Sequence, residues 1–198
     1  MASATLASLT QDIYAITKRP DLVTATQLHL KNALLKAHTV DFFERDVLET
    51  NFQFASPASI YQLDYKSLIP RFRGMKYLTI VDPLTLQFVR ELTGIPVKKF
   101  MDGYGYIRTD VYYLAGSNIQ IRLSDTSQVF GLGCYLYPDT TLATPSWIAD
   151  EVPTAIIYEA ARTLFRTIGF DEQSANMEKL VLEARQQVTM VGITTTGE

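Results

Sequence analysis

The chain has 198 residues, 47% of them hydrophobic and 20% charged, with a net charge of −3. That length makes one domain the default and allows a core without disulfides or metals, while the composition excludes a disordered chain. The mild acidity argues against a dedicated DNA-binding protein, which would carry a basic stripe. The one cysteine, Cys134, leaves no intrachain disulfide to form, which suits a reducing compartment. The opening stretch MASATLASLTQD lacks the basic and continuous apolar segments of a secretory signal, and no run of eighteen apolar residues argues for a membrane span.

Taken in order, Leu6, Leu9, Ile13 and Ile16 recur at helical steps and predict a helix over Thr5–Thr17. Lys18-Arg19-Pro20-Asp21 breaks it, and Pro20 and Asp21 suit the first turn of a second helix over Pro20–Thr39. From about Asp46 helical periodicity fades. Aromatic and β-branched residues then come in short runs, the pattern of strands. Asn51–Ala55 and Ile60–Asp64 alternate, Lys66–Arg73 is a Pro-interrupted loop, and Tyr77–Val81 is a strand ended by Asp82-Pro83. Gln87–Leu92 fits a strand or a helical turn. Asp102-Gly103 is a turn signal. Val111–Leu114 and Asn118–Leu123 flank the turn Ala115-Gly116-Ser117, and Val129–Tyr137 follows as a further strand.

The closing stretch Ser146–Val191 reads as two helices. The first carries Val152, Ile156, Ala160, Leu164 and Ile168 at steps of four, widened by Ile157, Ala161 and Phe165, a broad core-facing stripe. Asp150 is its expected N-cap, Pro153 lies in its first turn, and Gly169 closes it in the left-handed conformation. Asp171 would cap the second helix, whose face carries Met177, Leu180, Ala184 and Val188. The expected fold class is therefore α+β: mainly a helical bundle formed by the N- and C-terminal helices (1–46 and 146–191), with a β-rich insertion (47–145) in a single domain. Gly192–Glu198 would be an extended C-terminal tail, either frayed or held ready to pair with another subunit's sheet edge.

No motif for chemistry stands out. His29 and His38 are nine residues apart, not the i, i+4 spacing of a zinc-binding helix. Cys134 lies on an apolar strand face and reads as a small buried hydrophobe. Gly131-Leu132-Gly133 and Gly103-Tyr104-Gly105 lack the third glycine and following helix of a phosphate cradle and read as close-packing or bulge positions. The acid pairs Asp150-Glu151 and Asp171-Glu172 coincide with helix starts, where the helix dipole explains them; a carboxylate-pair hydrolase is the functional alternative. Cations scattered among the aromatics of the β region, such as Arg71, Arg73, Lys76 and Arg90, suit a solvated sheet better than a single-strand-binding platform. No catalytic residue, cofactor or metal is expected.

The layout resembles the head-to-tail adaptors of short-tailed bacteriophages, also called tail tubular protein A or tail accessory factors. Helices open the chain in TQDIYAITKRPDLVTATQLHLKNALLKAH. A β-rich middle includes LIPRFRGMKYLTI and DVYYLAGSNIQIRLS, and a closing pair carries SWIADEVPTAIIYEAARTLFRTIGFDE. The resemblance covers nearly the whole chain. It implies a virion structural protein without enzymatic activity, made in the host cytoplasm and placed at the head–tail junction. Such a protein forms a ring with copies of itself, usually dodecameric, beneath the portal protein. The ring carries nozzle or other tail proteins and passes DNA through its channel without sequence-specific binding or membrane contact. By the same analogy the C-terminal segment grips the portal, so Gly192, Ile193, Thr194, Thr195, Thr196, Gly197 and Glu198 are the portal-binding candidates. The alternatives are another neck or tail-completion protein, such as a stopper, or a peptidoglycan hydrolase acting in genome entry.

Overall fold

The structure is a computed structural model that describes residues 3–99 and 108–194. The chain forms two compact units. Met1–Asp46 and Tyr137–Glu198 make a helical unit, and Val47–Leu136 makes a sheet unit.

In the helical unit, α1 (Leu6–Thr17) starts at a capping box. The Thr5 side chain accepts from the Ser8 backbone N–H at 3.1 Å, and the Ser8 hydroxyl accepts from the Thr5 N–H at 3.0 Å. Two first-turn donors are thereby satisfied. Next comes α2 (Val23–Thr39), entered later than expected because Pro20 and Asp21 fall in the preceding turn. The first of the two helices expected in the closing stretch is itself divided in two. Ser146, not Asp150, is the N-cap of a short α4 (Trp147–Glu151). The chain breaks at Val152 and restarts with Pro153 at the beginning of α5 (Pro153–Thr167), since proline has no N–H to give to a continuing helix. Gly169, at φ 81°, follows the end of α5 as expected. Asp171 opens α6 (Asp171–Thr194) from within its first turn rather than capping it.

These helices share one core. Leu9 and Ile13 of α1, Leu30 and Leu34 of α2, Ile148 of α4, Ile156, Ala160 and Leu164 of α5, and Ala184 and Val188 of α6 are all buried in it. Glu159 of α5 is 5% exposed and is held by Lys36 at 2.7 Å, Arg162 at 3.0 Å and Arg185 at 3.1 Å. Burial pushes its carboxyl up, but its hydrogen bonds and charge contacts with Lys36 and Arg162 outweigh that and hold it below the ordinary glutamate range.

In the sheet unit six strands form one mixed sheet. They are β1 (Val47–Asp64), β2 (Phe72–Val81), β3 (Phe88–Glu91), β4 (Thr93–Gly94), β5 (Val111–Ala115) and β6 (Asn118–Leu136), with a single helical turn, α3 (Tyr65–Leu68), between β1 and β2. The two short runs expected around Asn51 and Ile60 are one strand, β1, interrupted by register shifts near Ala58. The runs expected at Asn118 and Val129 likewise fuse into the single β6. β6 is central. Its C-terminal half pairs antiparallel with β1 and β2, and its N-terminal half with β1 and β5. β3 pairs antiparallel with β2, and β4 runs parallel to β5. Even-numbered positions of β1 (Leu48, Phe52, Phe54) join Leu78, Ile80, Phe130, Leu132 and Cys134 in a second core. Phe54 stacks on Tyr61 and Phe52 on Phe130.

The expected fold class is thereby corrected. The chain is α+β, but it is not mainly a helical bundle carrying a β-rich insertion. Strands dominate the central region, and their mixed six-stranded sheet has a core of its own. The misreading has a physical source: β1 and β6 alternate through positions such as Ala55–Ala58 and Ser124–Ser127, where small and polar residues hide the period-two signal. The tail is corrected as well. Gly192, Ile193 and Thr194 continue α6, so nothing extended begins at Gly192. Thr195, Thr196, Gly197 and Glu198 lie outside the described residues, as do Asp102-Gly103 and Gly103-Tyr104-Gly105.

Candidate functional site

The densest cluster of chemistry-bearing side chains lies in the helical unit, where α2, the residues before β1 and the start of α4 meet. His38 stands one turn beyond Leu34 on the buried face of α2 and is 3% exposed. Its Nδ1 is 2.9 Å from both carboxylate oxygens of Asp46, and its Nε2 is 2.8 Å from the Ser146 hydroxyl. A carboxylate only accepts hydrogen bonds, so Nδ1 carries a hydrogen and donates it to Asp46. Trp147 Nε1–H donates to the same carboxylate at 2.9 Å. Its ring meets His38 edge to face at 5.9 Å and Phe43 at 5.2 Å. Arg45 lies over the Trp147 ring, 4.6 Å from its centroid, and forks onto both carboxylate oxygens of Glu151.

Serine, histidine and aspartate in this order are the parts of a nucleophilic triad. The surroundings give them different work. Ser146 is 5% exposed, and its hydroxyl also accepts the Ala149 N–H as the cap of α4 at 3.3 Å. The carboxylate is shared with an indole. A nucleophile must face a space where a reacting carbon can sit, whereas Ser146 is buried and its hydroxyl is engaged by both His38 and the Ala149 N–H. The arrangement ties three separated segments together.

Of the residues singled out as chemical candidates, Arg90 forms a second cluster, an ion-pair group on the sheet unit with Asp110 at 3.0 Å and Asp125 at 2.6 Å. Cys134 is fully buried in the sheet core, where burial pushes its thiol up and away from reactivity. His29 contacts the Thr167 hydroxyl at 3.1 Å. The hydrogen bonds from Arg45 hold the Glu151 carboxyl below the ordinary glutamate range. Glu172 is exposed on the first turn of α6. Among the described residues no group of three histidine, cysteine or acidic side chains is placed to hold a metal ion, and no described helix is long and apolar enough to cross a membrane. Among the portal-binding candidates, Gly192 is buried, and a Cβ there would overlap the Phe43 ring.

The sheet unit offers an open trough of about 760 Å³, lined by Glu49, Asn51, Tyr77, Thr79, Glu91 and Gly131 among others. Gly131 and Leu132 of Gly131-Leu132-Gly133 line it as well. A Cβ on Gly133 would overlap the Tyr77 ring, and one on Gly131 would lie 2.6 Å from the Thr79 hydroxyl. These are the close-packing positions the sequence suggests. Tyr77 crosses Gly133 to donate its hydroxyl to Glu49 at 2.7 Å. Burial, then that hydrogen bond, push the phenol up to about 12.

Sequence reasoning missed the His38 cluster. Asp46 and Ser146 are 8 and 108 residues from His38, and no local spacing links them. One signal was available: His38 continues the buried Leu30, Leu34 row of α2, and a histidine on a core face requires polar partners. Compared with known proteins, the chain matches no family model and no curated protein sequence.

Proposed function

We propose that this protein is a virion structural component, the head-to-tail adaptor of a short-tailed phage. It assembles into a ring beneath the portal protein, extends the DNA channel and carries later tail proteins. DNA passes through without sequence-specific contact, and no membrane is involved. Apart from the resemblance in sequence layout, one observation carries the reading: large apolar side chains are exposed on both units. In the helical unit Leu28 is 57% exposed and Leu182 55%; in the sheet unit Leu84 is 92% and Phe88 66% exposed. Single exposed leucines are ordinary, but Leu84, Leu86, Phe88 and Val89 crowd one hairpin, and grouped apolar exposure marks contact surfaces. A ring subunit needs two different such faces, because its contacts are heterologous. Portal contact is assigned to Ile193 and the residues after it, since Gly192 is committed to Phe43. The test is native mass measurement and electron microscopy of the purified chain with its portal protein. A closed ring of the chain on the portal is expected, and a chain that stays monomeric and never joins the portal would overturn the reading.

The His38–Ser146 and His38–Asp46 distances favour a second reading, a hydrolase acting in genome entry. Labelling with a fluorophosphonate, alongside zymography on peptidoglycan, separates the two. The adaptor reading expects no label and no clearing, whereas label at Ser146 that is lost in Ser146→Ala would establish the hydrolase.

A further inference from the structure

Among the described residues the sheet has unpaired edges on opposite sides. β1 spans all of one side, and among the described residues its single strand partner is β6. The other side is formed by β3 beside β2 and by β4 beside β5. An unpaired edge presents backbone N–H and C=O groups to any strand of the right direction, and proteins blunt such edges with lysines, prolines or short length. β1 is eighteen residues long. It contains no lysine, and Glu49 and Asp64 are its charged residues. Pro57 sits in the irregular stretch between Gln53 and Ile60, so it divides the edge into two segments without covering either. Among the described residues the β3 side is blunted by its length of four residues and by Arg90 and Glu91. It is flanked by the exposed Leu84, Leu86, Phe88 and Val89, and the turn before it is braced by Asp82, which accepts from the Leu84 and Thr85 N–H groups at 2.9 and 2.8 Å.

We propose that the 47–53 segment of β1 in one copy pairs antiparallel with β3 of the next copy, so that the sheets run on from subunit to subunit. The inference rests on the ring reading above and names the surface that closes the ring. The partner follows from strand direction. β1 and β2 both run antiparallel to β6 and are therefore parallel to each other, while β3 runs antiparallel to β2. A neighbouring sheet added in the same orientation brings β3 beside β1 in the antiparallel sense, the more stable pairing. β4 would arrive parallel. The level also matches: the register reads Asn51, Gly131, Thr79, Glu91 straight across four strands, so Glu91 of the next copy continues the row of Asn51. The pairing is heterologous, β1 to β3, and so propagates head to tail. Closing the ring leaves neither the 47–53 segment nor β3 unpaired. The apolar side chains flanking β3 supply buried area beside the backbone bonds.

Cysteine pairs in the full-length chain test this. Glu91→Cys is combined with Glu49→Cys, Asn51→Cys or Gln53→Cys, all exposed positions on one face, which allows for a stagger of two residues either way. Within one chain the two sites are three strand spacings apart, about 14 Å, beyond disulfide reach. Any bond therefore joins two copies, and Cys134 is buried in the core. The ring is assembled, with portal protein where native mass measurement shows that it is required, then oxidised and run without reductant. At least one pair should give a ladder of multimers, whereas Glu91→Cys with Thr50→Cys, on the opposite face, should not. Hydrogen exchange of the unmodified chain should slow at least tenfold at 47–53 and 88–91 on assembly. A ring that forms without cross-links and without slowed exchange at these strands overturns the inference and leaves the ring reading standing. A chain that forms no ring overturns both. Slowed exchange at 47–53 that disappears on deleting residues 195–198, with no cross-link, gives the edge to the C-terminal segment and also overturns the pairing.

Discussion

Replacing His38 with alanine removes the common partner of two buried groups, and its cost is set by the geometry. Asp46, with a side chain 6% exposed, keeps the Trp147 indole but loses the imidazole at 2.9 Å. Ser146 loses its partner at 2.8 Å. Breaking a buried hydrogen-bonded pair by removing one member costs about 3–5 kcal/mol. The serine hydroxyl's loss is contained in that figure rather than added to it, because the groups form one network. Domains of this kind are stable by roughly 5–15 kcal/mol, so the variant folds near its limit. With a urea slope of about 2 kcal/mol per molar, the midpoint falls by about 2 M. Trp147 is the chain's one tryptophan and touches the network, so its fluorescence reports unfolding of the helical unit. Ser146→Ala removes the α4 cap and one hydrogen bond while leaving the His38–Asp46 pair intact, and should cost about 1–2 kcal/mol. If His38→Ala shifted the midpoint no more than Ser146→Ala, the cluster would not be the clamp described above, and the hydrolase reading would gain.

Gly133→Ala should cost the sheet unit about 1–3 kcal/mol, because the Tyr77 ring occupies the place of the new methyl. Most of that cost should vanish in a Tyr77→Ala background, measured as a double-mutant cycle. Gly192→Ala, meeting Phe43 in the same way, should destabilise the helical unit by a similar amount, read at Trp147, and so separates a packed glycine from a tail glycine. The depressed Glu159 carboxyl contributes stability that is present above the unfolded value, about 4.3, and is lost as the pH falls through the lower folded value. Thermal melts from pH 6 downward, at roughly half-unit steps about that value, should decline less steeply in Glu159→Gln, from a lower starting point. The raised Tyr77 phenol has the opposite sign. Its contribution is intact below about pH 10 and is lost as the pH climbs toward the folded value of about 12, so tyrosinate absorbance in Tyr77→Phe should lose a late-titrating step.

What the sequence reveals depends on how locally each feature is encoded. α1 ends at Thr17 as expected, and Gly169 and the Gly131-Leu132-Gly133 positions were legible because their constraints lie within a few residues. The strand at Phe88–Glu91 was ambiguous: four residues cannot separate a strand from a helical turn. Pairing with β2 decides the matter. Ser146 was passed over as a cap because Asp150 stands just before Pro153, and only the break at Val152 shows that two helices start there. The long strands were read as fragments, which demoted the sheet. The His38 cluster is the extreme case. It is created by segments about a hundred residues apart, and nothing in any one of them announces the others.

The sheet unit begins and ends on neighbouring strands, with Val47 opposite Tyr135. Opposed residues in such a pair have their Cα atoms about 4.5–5.5 Å apart. On the helical side the residue just before the strand, Asp46, is held by His38 and Trp147 rather than left in a loose linker. A buried network at this point therefore makes physical sense without catalysis: it fixes where the chain leaves the helical core. The two units have separate cores. Under the ring reading proposed above, changes at the β1 and β3 edges act on contact between copies, and changes at His38 act on the stability of the helical unit. A variant of one kind that produced the other's effect would show that the two cores do not act independently.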